Sequence, residues 1–176
     1  MPVPESGSGP VDDAARRAAA KQVAAHAHQV AGRRRRPGRW APLKRWLVGG
    51  TRIRRRTGWP ASAPMLSDQP WQDRPSWERE GWRERVAFLE GEEVFGVDYV
   101  ICGRCRCGWV EQPSTQEPYR GCGLARAGLA ALRAENPGLA WYTLGGHLRD
   151  ARPFWAAISA DVPGGYRPQP LCGHFS

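Results

Sequence analysis

Between Cys105 and Leu132 the sequence reads CRCGWVEQPSTQEPYRGCGLARAGLAAL: an alternating strand, a turn-rich loop, a glycine bend and an alanine-rich helix. The bend, Arg120-Gly121-Cys122-Gly123-Leu124-Ala125, puts two glycines immediately ahead of a helix start. There the first N–H groups have no intrahelical acceptor and the macrodipole is positive. Glycine carries no Cβ, so the chain can turn with φ > 0 and an anion can approach the main-chain amides. Arg120 at the mouth of the turn adds a charge-assisted contact. Such a bend can hold a phosphate.

The flanking elements follow from periodicity and turn chemistry. Val94–Cys102 is rich in β-formers and predicts a strand; Cys105–Gln112 predicts the next. Only Gly103-Arg104 separates them, which predicts a two-residue antiparallel hairpin whose second strand carries Glu111 towards the bend. Downstream, Asn136-Pro137-Gly138 stops the helix, and Leu139–Leu144 reads as a buried strand. Gly145-Gly146 then leads to a helix from His147 to about Ala160, and a final strand follows Gly164-Gly165-Tyr166. Upstream, Ala61–Pro75 is a linker by composition. Ser76 reads as the N-cap of a helix whose apolar face is Trp82, Val86 and Leu89 and which ends at Gly91.

Charge divides the chain. Residues 1–60 hold fourteen Lys and Arg against three acids, a net of +11; residues 61–176 hold twelve against fourteen, a net of −2. The expected organisation is a basic low-complexity arm over 1–64, partly helical (Asp12–Ala31) and largely disordered, followed by one domain over 65–176. The helix of the arm is mostly methyl groups, with little to dock. Arg33–Arg36 and Arg52–Arg56, interleaved with Trp40, Trp46 and Trp59, suit non-specific nucleic-acid contact, although a solvated basic arm has the same composition. Met65 offers an alternative start. No apolar run is long enough to span a membrane and the N-terminus lacks a secretory pattern, so the default location is cytoplasmic. Five cysteines, an odd number, favour reduced thiols or metal over a disulfide framework.

Arg120-x-x-Gly123-x-Ala125, preceded by a strand and followed by a helix, resembles the acyl-CoA pyrophosphate loop of the GNAT superfamily of N-acetyltransferases. The order strand, loop, helix, strand, helix, strand from residue 105 onwards is similar to that family's, and the resemblance covers roughly residues 76–176. It implies an α/β fold with a mixed sheet, abbreviated because residues 65–112 supply fewer elements than the family usually has, unless the arm adds a strand near Trp46–Ile53. It also implies acetyl-CoA or another acyl-CoA as co-substrate and an amine as acceptor. Main-chain contacts to the cofactor would come from Val110 and from Arg120, Gly121, Cys122, Gly123, Leu124 and Ala125. Glu111 would be the general base. Trp155 stands where many members carry the tyrosine that protonates the leaving thiolate, which leaves Tyr166 as the nearest candidate acid. A non-catalytic CoA-binding protein and a zinc-stabilised, nucleic-acid-associated module are the alternatives.

A second constellation is Cys102-Gly-Arg-Cys105 with Cys172-Gly-His174. A two-residue spacer is the knuckle spacing of zinc sites, and Cys-x-His completes three thiolates and one imidazole. If the last strand runs antiparallel to the one starting at Cys105, its end meets the 102–105 hairpin and the four ligands converge. Cys107 shares a strand face with Cys105 and is an alternative ligand. Cysteine is also a common small buried side chain, which is the alternative reading of each.

Overall fold

The computed structural model describes residues 10–32 and 68–175. Among them, seven strands form one mixed sheet in sequential order: β1 (Val30–Ala31), β2 (Trp71–Pro75), β3 (Arg83–Leu89), β4 (Glu92–Cys102), β5 (Cys107–Thr115), β6 (Ala140–Thr143) and β7 (Arg167–Pro168). β2 to β5 are antiparallel neighbours, whereas β1–β2, β5–β6 and β6–β7 pair in parallel. Three helices accompany the sheet: α1 (Pro10–Ala25), α2 (Leu124–Glu135) and α3 (Arg152–Ser159). The α/β class with a mixed sheet is as expected. The Arg-rich stretch from residue 33, the strand sought near Trp46–Ile53, and Met65 lie outside the described residues.

Two segments depart from the sequence reading. Residues 76–89 are not a helix: Ser76–Trp82 form a bend and Arg83–Leu89 are β3. Arg83, Arg85 and Ala87 alternate with Glu84, Val86 and Phe88, a period of two that the coincident spacing of Trp82, Val86 and Leu89 conceals. Ser76 still caps a turn, its Oγ accepting from the N–H of Glu78 (3.2 Å) and Arg79 (3.1 Å). Gly91 (φ +83°) closes the two-residue turn between β3 and β4. The segment assigned to a linker contains β2, whose charges are buried in ion pairs: Asp73 with Arg83 and Arg85, and Arg74 with Glu84 and Glu93.

The N-terminal helix also behaves differently from expectation. It spans Pro10–Ala25, and its methyl groups are what allow it to dock, because small side chains permit close approach. Ala20 of the helix and Ala27 in the turn just beyond it are buried, and Trp71 Nε1 donates to the Val23 carbonyl at 2.7 Å. β1 then adds a parallel strand beside β2, so residues 10–32 pack with the domain.

One face of the sheet carries the main core, where Trp71, Phe95, Val97 and Val110 meet Leu129 and Leu132 of α2. Gly128 sets that contact: a Cβ there would fall 2.8 Å from the Phe95 ring and 3.0 Å from Trp71. Each such large apolar side chain contributes about 1.5–3 kcal/mol on burial. The opposite face holds a smaller cluster of Trp82, Val100, Cys102 and Trp109. β7 runs parallel to β5, not antiparallel as expected, because both pair with β6 in the same direction. The second half of the 147–160 helix is α3; its first residues form a 3₁₀ turn at Arg149–Ala151.

Candidate functional site

β5 is the strand from which both candidate sites are built. It begins at the Cys102–Cys107 hairpin and leads towards the glycine bend. Its parallel ladder with β6 covers only Cys107–Trp109 against Ala140–Tyr142, while β5 itself continues to Thr115. Beyond Trp109 the ladder stops, one residue before β6 ends at Thr143, which leaves a wedge beside the carboxyl end of β5. On the β4 side the register jumps between Asp98↔Glu111 and Gly96↔Ser114, so that Gln112 and Pro113 oppose one residue. Gln112 takes φ +49° and proline donates no N–H, which together make this a bulge. A wedge at the carboxyl ends of parallel strands is where open α/β sheets place ligands.

The bend lies beyond the carboxyl end of β5, between that strand and α2 in the chain. Gly121 (φ +75°) and Gly123 (φ +90°) both sit in the left-handed region, and Gly123 is the N-cap of α2. Both are exposed, while Cys122 and Leu124 point into the core. The N–H groups of Gly121, Gly123, Leu124 and Ala125 have no acceptor among the described residues. Arg120 is exposed, its Nε in a long contact (3.4 Å) to the Thr115 carbonyl. The docked α1 supplies a second cation that sequence reasoning missed. Arg17 Nη1 donates to the Pro118 carbonyl at 2.8 Å, and its Nη2 lies 3.7 Å from where a Gly121 Cβ would be. Ala24 faces Gly123 in the same way, at 3.9 Å. The only clue in the sequence was the run of alanines.

The residues expected to act on an acceptor are placed as follows. Val110 has its side chain in the core on the helix face. Glu111, at the point where β5 leaves β6, accepts from the Leu144 N–H at 2.5 Å and lies 3.8 Å from Arg79. Asp98, directly opposite on β4, lies 3.7 Å from the same guanidinium; burial pushes its carboxyl up to about 6, against the opposing effects of Ser76 and Arg79. Tyr166 is fully buried, and its hydroxyl accepts from Arg133 Nη1 at 2.6 Å. Burial raises its pKa, with Arg133 working the other way. Trp155 stacks on His147 (4.5 Å, 14°) and packs on Tyr166, so those three rings form one core layer. His147 donates from Nε2 to the Tyr166 carbonyl at 2.8 Å.

At the other end of β5, Cys102, Cys105, Cys172 and His174 converge, their ligating atoms all within 4.8 Å of one another. His174 Nδ1 lies 3.3 Å from Cys105 Sγ and 3.6 Å from Cys102 Sγ. Ligands tetrahedral about zinc at ordinary Zn–S and Zn–N lengths stand roughly 3.4–3.8 Å apart, so the donor set fits that ion. The hairpin loop has four residues, Gly103–Arg106, rather than two, and Arg106 takes φ +53°. This longer loop lets the Cys105 N–H turn back on Cys102 Sγ at 3.5 Å. That hydrogen bond is the largest cause lowering the Cys102 thiol to about 6, whereas hydrogen bonding to Cys172 and burial push Cys105 up to about 12. Cys107, the cross-strand partner of Cys102, donates to the Cys105 carbonyl at 3.3 Å.

Compared with known proteins, the chain matches no protein-family model and no curated protein significantly. Among the described residues, no helix is long and apolar enough to cross a membrane.

Proposed function

We propose that this chain binds an acyl-CoA, acetyl-CoA being the simplest, at the β5–α2 bend and passes the acyl group to an amine, within a GNAT-like fold that carries a zinc ion at its Cys₃His cluster. The observation that carries this reading is the bend itself: exposed glycine amides without acceptors among the described residues, flanked by Arg17 and Arg120, beyond the carboxyl end of β5. A diphosphate fits that chemistry through main-chain N–H donors, the helix terminus and two guanidinium groups. The pantetheine arm would then follow the wedge towards Glu111.

Zinc bound by three thiolates and one imidazole is a closed set with no position for substrate, and its role is structural. A non-catalytic acyl-CoA-binding protein is the second reading. It is favoured by Glu111, which accepts from Leu144 N–H, and by Tyr166, whose hydroxyl faces Arg133.

Acetyl-CoA should raise the melting temperature of the full chain. At a hundredfold excess over Kd the gain is about 2.7 kcal/mol, or roughly 8 °C for a domain of this size. Arg120→Glu, on an exposed side chain, should abolish most of that shift without lowering the unliganded melting temperature. No shift with any acyl-CoA would reject the proposal. A shift without thiol release over a panel of amines would select the second reading.

A further inference from the structure

We infer that the Cys₃His centre is the fastener of a C-terminal strap, and that metal occupancy decides whether residues 169–175 cover Trp109 at the root of the β5–β6 wedge. This rests on the zinc reading above but not on acyl-CoA.

The path of the chain makes a fastener necessary. β7 pairs Arg167 with Tyr142, and Tyr142 pairs with Trp109, so the chain enters the strap level with Trp109 and heading away from the 102–107 hairpin. Cys172 and His174 nevertheless reach that hairpin, so residues 169–174 double back across the sheet. No helix or strand holds them there, and Cys172–Phe175 is a single turn. The Gln169 N–H donates to the Thr143 carbonyl (2.8 Å), and the Gln169 carbonyl accepts from Trp109 Nε1 (3.0 Å). Leu171 and Cys172 pack on the small cluster, and Phe175 lies edge-on to Trp109 at 6.0 Å. Beneath them Trp109 is fully buried.

Ordering seven irregular residues carries an entropic penalty that one short apolar contact surface repays poorly. A metal taking two ligands from the strap and two from the hairpin turns that reversal into a closed loop. Trp109 is also the last β5 residue paired with β6, so the strap lies over the point from which the wedge opens. Loss of metal would free the strap, expose Trp109 and loosen that root, while α2 and its core, on the opposite face, stay intact.

The test is hydrogen–deuterium exchange by mass spectrometry on the full chain, as isolated, after chelation, and after zinc chloride is returned. The expected result is that peptides covering 169–175 exchange at least tenfold faster after chelation and recover with zinc, while α2 peptides are unchanged. Cys172→Ser should exchange like the chelated protein whatever the zinc concentration. Cobalt(II) should give thiolate charge-transfer absorption that Cys105→Ser removes, and Cys107→Ser, outside the tetrad, should keep. If metal binds in a 1:1 ratio but strap exchange does not respond to its removal, the strap inference is overturned and the zinc reading stands. If neither zinc nor cobalt binds, both fall. None of these readouts requires an acyl-CoA.

Discussion

Replacing Asp98 by asparagine should stabilise the protein at neutral pH. The side chain sits on β4 beneath the 76–82 bend, faced by Ser76, Glu78 and Arg79 from that bend, Glu84 from β3 and Glu111 from β5. Burial is the largest influence and raises its pKa from 3.8 to about 6, a shift of about 2.2. At about 1.36 kcal/mol per unit, the folded state holds that proton more tightly than the unfolded chain by about 3 kcal/mol. The sign follows: the folded form is favoured while Asp98 is protonated, and stability falls as pH rises from about 4 to about 6 and then levels. Asp98→Asn removes that penalty, and because the shift is already net of the opposing attraction of Arg79, nothing further is subtracted for the 3.7 Å contact. The gain at pH 7 is then about 3 kcal/mol, or about 9 °C in Tm. Urea unfolding of both proteins at pH 7 and pH 4 measures it. The account is refuted if the variant is less stable at pH 7, or if its advantage persists unchanged at pH 4.

Other perturbations test the frame. Asp73→Asn leaves Arg83, Arg85 and the Tyr99 hydroxyl without their shared carboxylate, and Arg85, fully buried, keeps only Glu135 of its two acidic partners; chemical denaturation should show a loss of about 3 kcal/mol. Gly164→Ala forces a side chain into φ +83°, with its Cβ 2.6 Å from the Trp141 carbonyl oxygen. It should cost about 2–4 kcal/mol by the same measurement, and a neutral result would mean that the 163–166 turn adapts freely.

Much of the architecture was legible because local signals agreed with the tertiary outcome. The β-formers of β4, the glycine bend, the alanine-rich α2 and its Asn136 stop all appear where periodicity puts them. β2 and β3 were not legible, for one physical reason. Asp73, Arg74, Arg83, Arg85 and Glu84 look like surface residues in composition, yet they neutralise one another against the sheet. Pairing between strands cannot be seen from one segment alone. The docking of α1 was invisible for the opposite reason: alanine advertises no apolar face, but its smallness lets Ala20 bury completely in the core and sets Ala24 against Gly123. The convergence of Cys102, Cys105, Cys172 and His174 was legible from their spacing. The route expected to assemble it, an antiparallel last strand, was wrong; the chain reverses after β7 instead.

Native mass spectrometry of the full chain, purified without chelator and sprayed from volatile buffer, addresses the functional proposal most directly. The account predicts one zinc per chain together with a mass increment that dissociates as CoA or an acyl-CoA, lost in Arg120→Glu while the zinc remains. A chain that never carries or acquires such an increment, even with acetyl-CoA added in excess, would contradict it.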